Sequence, residues 1–177
     1  MPIHVAVALA RRGGSTIQSY ARMHVIDPSR QLDHIVSSLA SLHEPATGRR
    51  PSGRDKTTAV IQNAIGALPL PTLVSDDQGR YVAASDSACA LTKYSCEELV
   101  GRYVWDLTAG ATRSEFEPLW RAFLAQGRQR GTYAIQPRTG GAIEVEYVAQ
   151  AHILRGFHAS VLLPIARPAT TGQGSEC

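Results

Sequence analysis

Apolar residues recur at helical spacing in the first part of the chain and at every second position in its last third, and this change of period sets the expected architecture. Asp27-Pro28 supplies a cap and a proline tolerated at the first helical position, and Leu32, Ile35, Val36, Leu39 and Leu42 follow on one stripe. The pattern predicts an amphipathic helix over 28–43, closed by Pro45. Val60, Ile61, Ala64, Ile65 and Leu68 predict a second over 57–68, stopped by Pro69. The Pro-, Gly- and Arg-rich stretch between them, up to residue 56, reads as a flexible linker, because it cannot bury enough apolar surface to offset its ordering entropy. Ahead of Asp27, residues 3–7 suit a strand and residues 11–15 a turn, and residues 17–26 show no clear period.

Past Pro69 the elements shorten. Residues 72–75 and 80–84 read as two strands joined by the turn residues Asp76-Asp77-Gln78-Gly79. Ser85 caps a short helix, and Ser95 with Glu98 forms a capping box, with Tyr94 placed to staple Leu99 and Gly101 as the stop. Ser114 and Glu117 predict a second box, which puts Pro118 near the first turn of a helix whose face carries Phe116, Leu119, Trp120, Phe123 and Leu124. Three strand candidates follow, over 132–136, 142–154 and 156–163. In the middle one Ile143, Val145, Tyr147, Ala149, Ala151 and Ile153 share the core face by the two-residue period. Residues 166–177 are small and polar and read as a disordered tail. The order predicts an α+β domain over 69–165: a five-stranded antiparallel sheet with helices on one face, preceded by the amphipathic N-terminal helices.

Charge changes this picture little. Residues 1–56 carry eight Lys/Arg against four Asp/Glu, and the remainder ten against eleven, so the excess of +3 sits in the N-terminal extension. Its Arg49, Arg50, Arg54 and Lys56 lie among Pro, Gly and Ser without a recognition-helix or aromatic pattern, so a solvated linker is expected there rather than a nucleic-acid site. No apolar run is long enough to span a bilayer, and the first arginines follow a short apolar stretch, the reverse of a secretory signal; a cytoplasmic location and no membrane partner are expected. Cys89, Cys96 and Cys177 lack any metal-ligand or CxxC spacing and are expected as reduced thiols.

Two segments carry a resemblance. Leu73-Val74-Ser75-Asp76-Asp77-Gln78-Gly79-Arg80-Tyr81-Val82-Ala83-Ala84-Ser85 and Ala90-Leu91-Thr92-Lys93-Tyr94-Ser95-Cys96-Glu97-Glu98-Leu99-Val100-Gly101-Arg102 resemble the first half of a PAS domain. The chain departs from the family pattern at Ser85, where Asn is usual, at Lys93, where Gly is usual, and at Thr139-Gly140-Gly141, which replaces an Asp-Gly turn. The resemblance implies a sheet and covering helices around a cavity that holds haem, flavin, a metabolite or nothing. It also implies an outer sheet face that receives an amphipathic helix, often across a dimer interface. On that basis Val60, Ile61, Ala64, Ile65 and Leu68, with Val148, Leu154 and Leu162 on the sheet, are the candidate homodimer contacts.

Tyr103, Trp105, Phe116, Trp120, Tyr133 and Tyr147 are the candidate cavity residues, with Trp105 and Tyr147 foremost for an apolar or aromatic ligand. The cofactor is left unknown: the photoreactive cysteine of flavin relatives is missing after Gly101-Arg102, and residues 112–126 contain no axial histidine for haem. His152 and His158 flank the turn at Arg155-Gly156 and can meet across a hairpin, but with no further ligand evident no metal site is expected. His34 lacks the surroundings of a phospho-accepting histidine. No nucleophile elbow, P-loop, zinc-protease motif or paired carboxylate appears, so no catalytic residues and no enzyme are expected. The reading is a sensor or interaction module in signal transduction or transcriptional control, acting through a separate signalling partner or as part of a longer chain. A cofactor carrier or small enzyme on the same fold, and a DNA-binding regulator using residues 1–56, are the alternatives.

Overall fold

The computed structural model describes residues 27–42, 54–110 and 112–165. The strand suggested at 3–7, most of the linker and the tail lie outside the described residues. Helices α1 (Pro28–Leu42) and α2 (Arg54–Ile65) precede strands β1 (Thr72–Asp76) and β2 (Tyr81–Ala84). Short helices α3 (Asp86–Thr92) and α4 (Cys96–Leu99), a 3-10 turn at Val104–Leu107 and helix α5 (Arg113–Gln126) then lead to β3 (Arg128–Ile135), β4 (Ile143–Leu154) and β5 (Phe157–Pro164). The strands form the single five-stranded antiparallel sheet that the pattern predicted, and pair in the order β2-β1-β5-β4-β3.

The sheet is buried on both faces. On the inner one Leu73, Tyr81, Ile135, Val145 and Leu162 pack with Ala88, Leu99 and Leu107 from the short helices and the 3-10 turn. On the outer one Val74, Val148, Phe157 and Val161 pack against Leu32, Ile35 and Leu39 of α1 and Ile61 and Ile65 of α2. Burying each of these aliphatic side chains is worth about 1.5–3 kcal/mol. The helix expected on the outer face was the second; the structure lays α1 across β4 and β5 and sets α2 beside β2. Two glutamines fix this docking. Gln31, buried in α1, accepts from Leu70 N–H at 3.1 Å and donates to Leu70 C=O at 2.9 Å and to Thr72 Oγ1 at 2.8 Å. Gln62 of α2 repeats the device, accepting from Ala84 N–H at 3.1 Å and donating to its C=O at 2.9 Å. Each amide takes the part of a neighbouring strand for backbone that would otherwise be unpaired.

Several expectations are corrected. Helix α2 starts at Arg54, inside the stretch read as linker, and ends at Ile65. The N-cap of α5 is Thr112, whose N–H donates to Glu115 Oε2 at 3.0 Å, so the box lies one pair earlier than Ser114 and Glu117. Both pairs satisfy the same spacing, and Glu117 instead pairs with Arg121 one turn on, at 3.2 Å. Pro118 therefore stands inside the helix rather than in its first turn. Ile153 does not share the face of Ile143: the β4/β5 register shifts between Gln150 and Leu154, His152 has φ 57°, and Ile153 joins the outer cluster. Leu162 was placed on the outer face and packs in the inner cluster, where the alternation of β5 puts it beside neither α1 nor α2. Cys89 and Cys96, expected as thiols, are joined in a disulfide across the α3–α4 turn, their Cα atoms 5.5 Å apart.

The departures at Ser85 and Lys93 have different outcomes. Ser85 is buried, and its Oγ accepts from Thr72 N–H at 2.9 Å and Ala88 N–H at 3.2 Å, so it caps α3 and ties that cap to β1. Lys93 closes α3 at φ 61°, in the left-handed region where a Cβ is penalised. Lys93→Gly is therefore expected to raise stability by about 0.5–1 kcal/mol in urea unfolding, the relief of that strain exceeding the added freedom of the unfolded chain. An unchanged or lower value would show that Lys93 is unstrained.

Candidate functional site

A cavity of about 280 Å³ lies between the inner face of the sheet and α5. Tyr133, Tyr147, Ala149, Ser75, His158 and Ser160 line it from the strands, and Phe116, Leu119, Trp120 and Phe123 from the helix. Helix α5 faces the sheet because its aromatic residues recur every three or four positions, and their rings run in sequence over the sheet. Phe116 and Trp120 are stacked at 6.1 Å, Trp120 and Phe123 tilted at 5.3 Å, and Trp120 meets His158 edge-on at 5.5 Å. The indole N–H of Trp120 donates to Asp77 C=O at 2.9 Å, which fastens α5 to the β1–β2 turn. Glycines make room at two points. Gly79 in that turn has φ 75°, and a Cβ there would stand 3.3 Å from the Trp105 ring; at Gly131, opposite Tyr147 on β3, a Cβ would stand 3.1 Å from the Tyr147 ring.

Of the six aromatic residues singled out from the sequence, Phe116, Trp120, Tyr133 and Tyr147 line the cavity. Tyr103 and Trp105 stack on each other at 4.3 Å outside its lining. Tyr81, Ser75 and His158 were missed, since knowing that they face the same space requires knowing which strands are neighbours; Phe123, on the predicted helix face of Phe116 and Trp120, was left out of the candidates although its spacing marked it. Of the proposed outer contacts, Ile61, Ile65 and Val148 are buried within the chain, Ala64, Leu68 and Leu154 pack against the same cluster, and Val60 is exposed.

His158 is the buried histidine of the cavity floor. The backbone N–H of His152, turned inward by the bulge, donates to His158 Nδ1 at 3.0 Å, so this nitrogen is bare. The ring proton therefore sits on Nε2 and is donated to Asp77 Oδ1 at 3.0 Å. Burial holds the His158 pKa below its ordinary value, with the Asp77 bond opposing that shift in part. Asp77 supplies the third ligand-type group that the sequence did not reveal: ligand atoms of Asp77, His152 and His158 lie within 4.8 Å of one another. The hydrogen bonds argue against a cation there, because a metal on Nε2 would require the ring to lose that proton while Nδ1 stays bare. Burial raises the pKa of Tyr81, Tyr133 and Tyr147, so all three phenols stay protonated near neutrality. The Glu115 carboxylate, at the exposed side of the cavity, is held below its ordinary pKa by its hydrogen bonds to Thr112.

Residues 65–150 match the family model described as PAS fold. The chain contains a PAS domain. Its geometry agrees with the PAS domain of an HTR-like protein from Haloarcula marismortui at a TM-score of 0.53, with 18% identity over 63% of this chain and 99% of that one. A domain of a sensory box sensor histidine kinase/response regulator from Geobacter sulfurreducens matches at 0.50, with 15% identity over 64% of this chain and 98% of that one. At these identities the likeness shows the fold alone. Sporulation kinase E of Bacillus subtilis (strain 168) is 23% identical over 90 residues, which make up 51% of this chain and 12% of the kinase. Among the described residues of the PAS domain and its N-terminal helices, none forms a helix long and apolar enough to cross a membrane.

Proposed function

We propose that this PAS domain is a cytoplasmic signal-sensing module whose inner cavity takes a small ligand and whose response passes through β4 to α1. One observation carries the reading: the two faces of a single strand serve the two sites. Ala149 lines the cavity, while its neighbour Val148 is buried against the cluster that holds α1. A ligand that moves β4 by a few tenths of an ångström acts on the α1 packing, since close-packed interfaces do not deform smoothly. The role is binding rather than turnover. His158 has both ring nitrogens engaged and the lining phenols are protonated, so neither is poised as a base near neutrality. The output belongs to a partner protein or a further domain, in signal transduction or transcriptional control; the kinase among its relatives supports the former. Homodimerisation is part of the same proposal, with the exposed Val60 side of α2 free to contact a second copy.

Benzene, a probe small enough for the cavity, tests both halves by NMR. It is expected to shift the amide signals of Tyr147, Ala149 and Ser160 and to change hydrogen exchange in α1 between Leu32 and Leu39. Unshifted cavity signals would remove the ligand site. Shifted cavity signals with unaltered α1 exchange would remove the transmission.

A further inference from the structure

We infer that the cavity selects a small uncharged molecule with one aromatic ring and a hydrogen-bonding oxygen, held by the hydroxyls of Tyr81 and Ser75. This rests on the ligand site proposed above and adds the chemistry of what fills it. Ser75 on β1 is the register partner of Tyr81 on one side and of His158 on the other, so the three form one polar rung across β2, β1 and β5. All three line the cavity and all are buried, Tyr81 to 2% exposure and Ser75 to 6%. His158 has spent both nitrogens on Asp77 and on the His152 amide.

Tyr81 and Ser75 have not: among the described residues neither hydroxyl makes a hydrogen bond, although no polar side-chain atom sealed from the cavity or solvent is left without a partner. The hydroxyls of Tyr133, Tyr147 and Ser160 also face the cavity unpaired, but these residues are only half-buried; Tyr81 and Ser75 are the buried ones, where an unpaired polar group costs most free energy until something pairs it.

Charge and size narrow the partner. Among the described residues no lysine or arginine lines the cavity, so a carboxylate or phosphate would be desolvated without a counter-ion there. Glu115, the carboxylate among the described lining residues, is committed to Thr112. At about 30 Å³ for each water's share of liquid volume, the space equals about nine waters, enough for a single substituted ring. The walls of Phe116, Trp120, Phe123, Tyr133 and Tyr147 offer faces and edges to such a ring.

Acetophenone, ethylbenzene and benzoate separate these terms, because the first two differ by one carbonyl and the third adds a charge. Binding is read from Trp120 fluorescence in a Trp105→Phe variant, which leaves one of the two tryptophans. Acetophenone is expected to bind about threefold to tenfold more tightly than ethylbenzene, and benzoate at neutral pH more weakly than either. Tyr81→Phe should bring the acetophenone-to-ethylbenzene ratio close to one while leaving ethylbenzene affinity within about twofold. Ser75→Ala, a smaller change to the fold, should lower the same ratio. Equal binding of the two neutral probes, or a ratio that survives both substitutions, overturns the assignment of the hydroxyls and leaves the cavity as a ligand site. If none of the three probes enters, the ligand site fails and the inference with it.

Discussion

Leu32→Ala is expected to lower the stability of the chain by about 3–5 kcal/mol, the range for truncating a fully buried leucine. Leu32 is 0% exposed, and its side chain lies in the cluster that α1 shares with β4, β5 and α2. The loss combines the transfer of the deleted methyl groups with the cavity left in a face that cannot close, since Gln31, one residue earlier, is tied to Leu70 and Thr72. Urea unfolding followed by circular dichroism measures it. A helix merely projecting from the domain would lose no more than about 0.5 kcal/mol, so a result that small would show that α1 is not docked on the sheet. Gln31→Leu makes an independent check at the same interface, because it leaves the Leu70 N–H and C=O buried without their partner.

Acidification is expected to destabilise the domain through His158, and the direction follows from its depressed pKa. In the unfolded chain this histidine takes up a proton near its ordinary pKa of about 6.5. In the folded chain burial opposes the charge, so protonation comes at lower pH. The unfolded state therefore binds more protons across that window. The contribution of His158 is fully present above about 6.5 and is lost as pH falls below it, with a slope of at most about 1.4 kcal/mol per pH unit, until the folded ring is protonated as well. The structural cost is local. A proton on Nδ1 would face the N–H of His152 and break the bond that holds the bulge of β4, while Nε2 would keep Asp77. Asp77 and Asp76 favour the charged ring and His152 opposes it, so the net effect is set by burial. His158→Gln is expected to be less stable than the parent at pH 7.5 and to show a flatter stability profile between pH 6.5 and 5. If the two profiles keep the same slope, another group governs the acid limb.

The candidate site was half legible in the sequence. Phe116, Trp120, Tyr133 and Tyr147 were found because aromatic residues on a helix face or on alternate strand positions mark an inward surface. Tyr103 and Trp105 carry the same signal and lie outside the lining, because the 3-10 turn that holds Trp105 directs the pair against each other. Tyr81, Ser75 and His158 could not have been grouped, since the rung they share depends on β5 pairing with β1 across most of the domain. The turn residue Asp77 gave no sign that it would receive both the Trp120 indole and the His158 ring.

Local chemistry was decided by the sequence alone. The period of α1 and the serine caps of α3 and α4 follow from interactions spanning a few residues and were predicted with nearly correct limits, whereas β3 starts at Arg128, four residues before the limit predicted for it. Tertiary structure decided what local rules leave degenerate. Two overlapping boxes compete at the start of α5, and the folded helix takes Thr112 with Glu115. The irregularity of β4 at His152, whose φ is 57°, puts three residues opposite one of β5 and reverses the face of Ile153, because the two-residue alternation breaks there. Two amphipathic helices could cover the outer face, and α1 takes β4 and β5, where its Gln31 amide pairs with the Leu70 backbone.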